Sequence, residues 1–197
     1  MKQNISKTIN YYENNFKNLI ERYEKADLSF IQNLLLENTK KNDFILELGF
    51  GSGRELNFLF NQGFKNIYGI DASKNFVNFV KNRFKIDNFR YSILPDINIK
   101  GEFDFIYSIA VFMHLPYEIY EETINNISNK LKKGGKLLIS FSLEKREDKE
   151  RDFYKVDEKL LEKLLNNNQI YKEKEIITTD TLGRNIKWKN IIYRNKN

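Results

Sequence analysis

Glu47 stands two residues ahead of Gly49, Gly51 and Gly53 in the stretch Phe44–Glu55, FILELGFGSGRE. Three glycines at alternate positions let the backbone bend closely around a ligand. A triphosphate-binding loop is excluded, because no Gly-Lys-Ser/Thr follows to hold phosphate and magnesium. A dinucleotide loop fits poorly, since its third small residue falls on Arg54 or Leu56, and neither permits the close helix–strand approach of a pyrophosphate site. Asp71 follows twenty residues after Gly51, where an acid either accepts ribose hydroxyls or caps a helix. His114 is the only histidine. It is a candidate base for a hydroxyl or a protonatable amine, or else a residue that positions its loop. With no cysteine and one histidine, thiolate nucleophiles, disulfides, thiolate zinc sites and multi-histidine metal centres are excluded. Carboxylate-only metal binding is not excluded, and no metal is assigned.

These residues need elements to hold them. Apolar positions from Ile9 to about Glu37 recur at helical spacing, with a break at Ala26–Ser29 capped by Asp27 or Ser29. Strands are expected at Phe44–Leu48, Asn66–Ile70, Phe89–Leu94, Phe103–Ile109 and Lys136–Phe141. Helices are expected after the glycine loop, around Phe76–Phe84, at Glu118–Leu131 and at Asp157–Leu165, with a turn at Gly134-Gly135. Alternating strands and helices imply a doubly wound, mostly parallel α/β sheet. Two last strands, near Ile170–Ile177 and Asn185–Tyr193, read as an antiparallel hairpin turning at Asp180-Thr181-Leu182-Gly183, for seven strands in all. One domain results: cover helices over 1–40, a ligand-binding core over 41–141, and a substrate-side helix and hairpin over 142–197.

A chain of 197 residues with 41% hydrophobic and 30% charged residues has the composition of a soluble globular protein. No apolar run reaches the roughly 20 residues of a membrane span, and the first residues lack the apolar stretch of a signal peptide, so a cytoplasmic location is expected. The net charge of +6 admits nucleic acid as a partner without favouring it. Lysines are spread along the chain, and the segment EKREDKERD (Glu144–Asp152) mixes signs as a solvated face does.

Glu-Leu-Gly-Phe-Gly-Ser-Gly resembles motif I of the class I S-adenosylmethionine-dependent methyltransferases, which share a Rossmann-like fold. Phe103–Ser108 and Leu131–Ile139 resemble that family's fourth strand and its entry to the fifth. The resemblance covers about Phe44 to Phe141. It implies S-adenosyl-L-methionine as cofactor, with the loop of Gly49, Phe50, Gly51 and Gly53 under its methionine half, Glu47 near its ammonium, and Asp71 with Ala72 at its ribose. An acid near the loop suits a sulfonium and an ammonium. Ser92 and Ile93 fall where the adenine is held, Asp96 standing slightly late for that role, and Ile109 closes the fourth strand beside the cofactor. Arg54 either meets the cofactor carboxylate or pairs beside Glu55.

The acceptor site is expected beyond strand four, in Ile109–Pro116. The Asp/Asn-Pro-Pro-aromatic motif of adenine-N6 and cytosine-N4 methyltransferases is absent there, and cytosine-C5 chemistry needs a cysteine. Tyr11-Tyr12, Arg151–Tyr154, Asp180, Gly183-Arg184 and Trp188 resemble a bacterial subgroup of small-molecule type, loosely akin to tellurite-resistance-type methyltransferases. On that resemblance Tyr11, Tyr12, His114, Arg151, Tyr154, Arg184 and Trp188 lie on the substrate side, the arginines facing an anionic acceptor. Transfer to an O or N nucleophile of a small molecule is the expected activity. Methylation of RNA or protein, or cofactor binding without turnover, are the alternatives.

Overall fold

The computed structural model describes residues 2–144, 146–181 and 184–197. Seven strands form one sheet: β1 (Ile45–Leu48), β2 (Ile67–Asp71), β3 (Phe89–Tyr91), β4 (Phe103–Ile109), β5 (Leu131–Ser142), β6 (Ile170–Thr179) and β7 (Lys187–Asn195). Their spatial order is β3-β2-β1-β4-β5-β7-β6. The five strands from β3 to β5 run parallel, and β7 pairs antiparallel with both β5 and β6. The expected doubly wound sheet and C-terminal hairpin are therefore present. Leu182 and Gly183 of the expected turn lie outside the described residues.

Seven α-helices accompany the sheet among the described residues: α1 (Lys2–Asn14), α2 (Phe16–Glu24), α3 (Ser29–Asn38), α4 (Arg54–Asn61), α5 (Lys74–Phe84), α6 (Tyr120–Ser128) and α7 (Glu158–Asn167). β1 is buried at every position, so its two sides feed two cores. Leu46 and Leu48 pack with Ile124 and Ile127 of α6 and Leu161 and Leu165 of α7. Ile45 packs on the other face with Leu34 and Leu35 of α3, Leu56 and Leu59 of α4 and Val80 of α5. Full burial of each such side chain contributes about 1.5–3 kcal/mol. No described helix is long and apolar enough to cross a membrane.

Two expectations change in detail. The first helical region forms three helices rather than two, because the chain breaks at Asn15 as well as near Asp27, whose carboxylate accepts the Ser29 N–H at 2.8 Å. The Gly134-Gly135 turn lies inside β5 as a bulge, with Phe103 opposite Leu131 but Phe105 opposite Lys136. Gly134 takes φ +74°, where glycine is unstrained.

Candidate active site

Strand order reverses between β1 and β4, which opens a crevice at their carboxyl ends. Gly49 leaves β1 at φ +77°, and Gly51 and Gly53 follow at +52° and +69°. A Cβ on Gly49 would stand 2.4 Å from Val111 Cγ2 across the crevice, so glycine is required for contact as well as conformation. Ala110, the residue after β4, holds φ +61° without being glycine. Its N–H donates to the Ser140 carbonyl at 2.8 Å. Backbone strain of this kind collects at functional sites.

A cavity of about 230 Å³ lies under the glycine loop. Of the residues assigned to the cofactor from sequence, Glu47, Gly49, Phe50, Gly51, Arg54, Asp71, Ala72, Ser92, Ile93 and Ile109 all line it. Gly53 does not; it forms the left-handed N-cap of α4 and packs against Val80. Asp96 is exposed and lines no part of the cavity. Ser92 is committed locally, its hydroxyl donating to the Asp96 carbonyl at 2.8 Å and accepting the Asn98 N–H at 3.1 Å.

Two carboxylates set the electrostatics. Asp71 accepts the Gly51 N–H through Oδ2 and the Ser73 N–H through Oδ1, each at 2.8 Å. It therefore braces both the loop and the start of α5, while Ser73 itself caps that helix by accepting the Phe76 N–H. A carboxylate offers about four lone-pair positions, so two remain. Burial pushes Asp71 up to about 6, against these backbone donors, which pull it down. Glu47 accepts the Tyr107 hydroxyl at 2.9 Å. Burial raises it well above the usual carboxylate range, and the neighbouring Glu55 carboxylate raises it further. A cation in the cavity reverses that penalty; an anion worsens it.

Arg54 resolves into a tie between elements. Its Nε donates to Glu55 at 2.8 Å, and Nη1 donates to the carbonyls of Tyr23 and, at 3.1 Å, Ala26. These bonds fix the α2–α3 connection over the loop. α1 is fixed separately: Glu13 accepts the Ser73 hydroxyl at 2.6 Å, and Thr8 accepts the Asp152 N–H at 2.9 Å.

A second cavity, of about 190 Å³, adjoins the first. Tyr12, Tyr23, Arg54, Ile109 and Ala110 border both. Ser140, Thr178 and Asn190 supply polar groups, with the Ser140 hydroxyl donating to Asn190 Oδ1 at 2.8 Å. Arg151, Arg184 and Trp188, three of the residues the sequence assigned to the substrate side, line this cavity. Tyr11 and Tyr154 line neither cavity. The Tyr11 ring instead supports the Arg151 guanidinium at 4.5 Å, and the Tyr154 N–H donates to the Met113 carbonyl at 2.8 Å.

His114 borders the first cavity. The Asp152 carbonyl lies 2.8 Å from its Nδ1, and a carbonyl only accepts, so the hydrogen sits on Nδ1. Nε2 then accepts the Tyr12 hydroxyl at 3.0 Å. Burial lowers His114 to about 4, and the Arg151 and Arg146 charges act in the same direction. The ring is therefore neutral near pH 7, and its visible work is to hold Tyr12 at the boundary of the two cavities.

Tyr23, Glu55 and Arg146 were not singled out in the sequence. Tyr23 is one aromatic in a helical pattern. Arg146 belongs to the charged segment expected to be a solvated face. That expectation fails at three positions: Asp148 and Arg151 pair at 2.6 Å with both side chains mostly buried, and Arg146 lines the second cavity.

Residues 46–139 match the model of a methyltransferase domain family. No curated protein matches the chain in sequence. Among solved structures, magnesium protoporphyrin IX methyltransferase from Synechocystis, with bound S-adenosylhomocysteine, is similar at a TM-score of 0.74 and 16% identity, over 95% of this chain and 97% of that one. The 1,6-didemethyltoxoflavin-N1-methyltransferase of Burkholderia thailandensis, with bound 1,6-didemethyltoxoflavin and S-adenosylhomocysteine, reaches 0.74 and 14% over 98% and 88% of the two chains. An S-adenosylmethionine-dependent methyltransferase of Clostridium acetobutylicum reaches 0.70 and 15% over 93% and 99%.

Proposed function

We propose that this chain, a class I S-adenosylmethionine-dependent methyltransferase, holds its cofactor under the glycine loop and methylates an O or N nucleophile of a small molecule in the adjoining cavity. The observation that carries this reading is the pair of cavities sharing Tyr12, Tyr23, Arg54, Ile109 and Ala110 as their border. A donor in one and an acceptor in the other meet there in line, and alignment supplies much of the acceleration.

The first cavity suits this cofactor on three counts. The positive-φ glycines form a cradle that side chains would fill. Asp71 keeps two lone pairs for a diol. Glu47 and Glu55 favour a ligand that brings positive charge and no phosphate. When bound, the cofactor supplies a methyl group on a sulfonium, whose carbon–sulfur bond breaks, leaving its electrons on sulfur, as the acceptor lone pair bonds to carbon.

Asp71 orients the ribose, Glu47 the ammonium, and Ser92 with Ile93 borders the adenine. The acceptor proton leaves toward water or the Tyr12–His114 pair. α1 borders the first cavity through Thr8, Ile9 and Tyr12, and the α2–α3 connection borders the second through Ala26, Asp27 and Leu28, which favours a small acceptor over a polymer. Two of the similar structures bear the names of small-molecule methyltransferases, which supports the same choice.

The test is release of S-adenosylhomocysteine against a metabolite panel and an RNA panel. Turnover with a metabolite, abolished by Asp71→Ala, is expected. Turnover with RNA alone would replace this reading with the macromolecular one, and cofactor binding without any turnover would replace it with a binding role.

A further inference from the structure

Three of the arginines that line the second cavity, Arg146, Arg151 and Arg184, stand in different states. Arg151 donates from Nε and Nη2 to Asp148 at 3.0 and 2.6 Å. Arg184 uses the same edge of its guanidinium on Asp180, with Nε at 2.9 Å. In Arg146 that edge is unmade: Nε and Nη2 are both buried and have no hydrogen-bond partner. The group is not idle surface charge. Its guanidinium carbon lies 5.2 Å from the Trp188 ring centre and 5.5 Å from that of Phe153, so two aromatic rings pack around it.

Buried donors are almost always satisfied, and a guanidinium cannot lose its proton to escape the cost. The Nε and Nη2 hydrogens point in parallel, the geometry that meets both oxygens of a carboxylate. Asp180 lines the same cavity but already accepts from Arg184 and from Trp188 Nε1 at 3.2 Å. No described protein group accepts from this edge, so a molecule admitted to the cavity can supply the acceptor.

Resting on the small-molecule reading above, we infer that the acceptor is a flat, apolar monocarboxylic acid whose carboxylate is received by the free edge of Arg146. Trp188 walls its body, and the Ser140 oxygen, whose hydrogen is given to Asn190, remains as an acceptor in the same cavity. The sequence pointed to Arg151 and Arg184 for an anionic acceptor; both are neutralised by their own aspartates, which leaves that task to Arg146. The acids Asp27 and Asp180, which line the cavity, disfavour a dianion, so carboxylate is chosen over phosphate. Both Arg146 donors are covered before the ligand arrives, and rotation of this long side chain opens them.

Binding decides the matter independently of turnover. The protein is saturated with S-adenosylhomocysteine, and ligand-observed NMR measures binding of substituted benzoates, their primary amides and phenyl phosphate. Benzoates are expected to bind at least tenfold more tightly than their amides and than phenyl phosphate. Arg146→Gln is expected to abolish the preference while leaving affinity for S-adenosylhomocysteine unchanged, and Arg146→Lys to retain part of it. Equal binding of acids and amides, a preference that survives Arg146→Gln, or tighter binding of phenyl phosphate would each overturn the proposal. The unpaired charge also makes a stability prediction: Arg146→Gln melts at the same temperature as the parent or higher. A variant melting several degrees lower would assign Arg146 a structural role and overturn the proposal as well. Methylation of neutral metabolites without dependence on Arg146 would sink this inference and leave the small-molecule function standing. Arg146-dependent acid binding without turnover would keep the carboxylate site and overturn the small-molecule methyl transfer on which the acid's role as acceptor rests.

Discussion

Replacing Asp71 with asparagine tests how the cofactor's ribose is held. The side chain keeps its shape, but the Gly51 and Ser73 N–H groups each lie 2.8 Å from a different carboxylate oxygen, so one keeps the amide oxygen and the other loses its acceptor. What disappears is the charge and one of the two accepting oxygens. Each hydrogen bond to a charged acceptor contributes about 1.5–3 kcal/mol, so two ribose hydroxyls amount to about 3–6 kcal/mol for Asp71→Ala. At about 1.4 kcal/mol per tenfold, that is roughly 150-fold to 10⁴-fold, with Asp71→Asn near the lower end at about a hundredfold.

Protonation supplies an internal control. Asp71 titrates at about 6 in the folded protein. Hydroxyl donors bind the ionised form, so parent affinity falls as pH drops through 6, by about tenfold at pH 5. The asparagine variant lacks this group. Glu13 and Glu47, the other acids acting on Asp71, are present in both proteins and cancel in the ratio. Calorimetric titration of S-adenosylmethionine at pH 7.5 and pH 5 should show a gap of about a hundredfold shrinking to about tenfold. A gap under threefold at pH 7.5, or one that ignores pH, refutes the ribose assignment. Circular dichroism of the variant guards against loss of the fold.

Glu47→Gln removes a carboxyl held well above its usual range by burial and by Glu55. Its raised value makes the ligand-free fold more stable at low pH, a contribution lost as pH rises; the variant should therefore melt no lower than the parent at pH 8. It should also bind cofactor about tenfold or more weakly, and the proton released on binding, read by calorimetry in two buffers, should fall. Tyr12→Phe and His114→Gln should each lower kcat about fivefold, the worth of one hydrogen bond, and the double variant no further, since the two act through one contact at 3.0 Å. With His114 at about 4, kcat against pH should show no limb near 6.5. Gly49→Ala places a Cβ 2.4 Å from Val111 Cγ2 at φ +77° and should cost about 2 kcal/mol or more in thermal unfolding. Val111→Ala in the same chain should recover the clash but not the backbone strain.

Much of this protein is local in origin. The buried strand at Ile45–Leu48, the glycines after it and the acid ending β2 are contiguous patterns, and the wall of the first cavity follows from them because one βαβ unit brings Gly51 and Asp71 within a hydrogen bond. Strand alternation likewise showed the doubly wound sheet, and the final pair showed its hairpin. The sequence could not say that β7 inserts between β5 and β6, since pairing order depends on which edges remain open after the core has formed. Nor could it rank the arginines. Arg146, Arg151 and Arg184 look alike as letters in charged or polar surroundings. Only the folded chain puts Asp148 against Arg151, Asp180 against Arg184, and Trp188 against an unpaired Arg146. Hydrogen-bond partners of a buried charge come from whichever segments the fold brings together, and that choice is made in three dimensions.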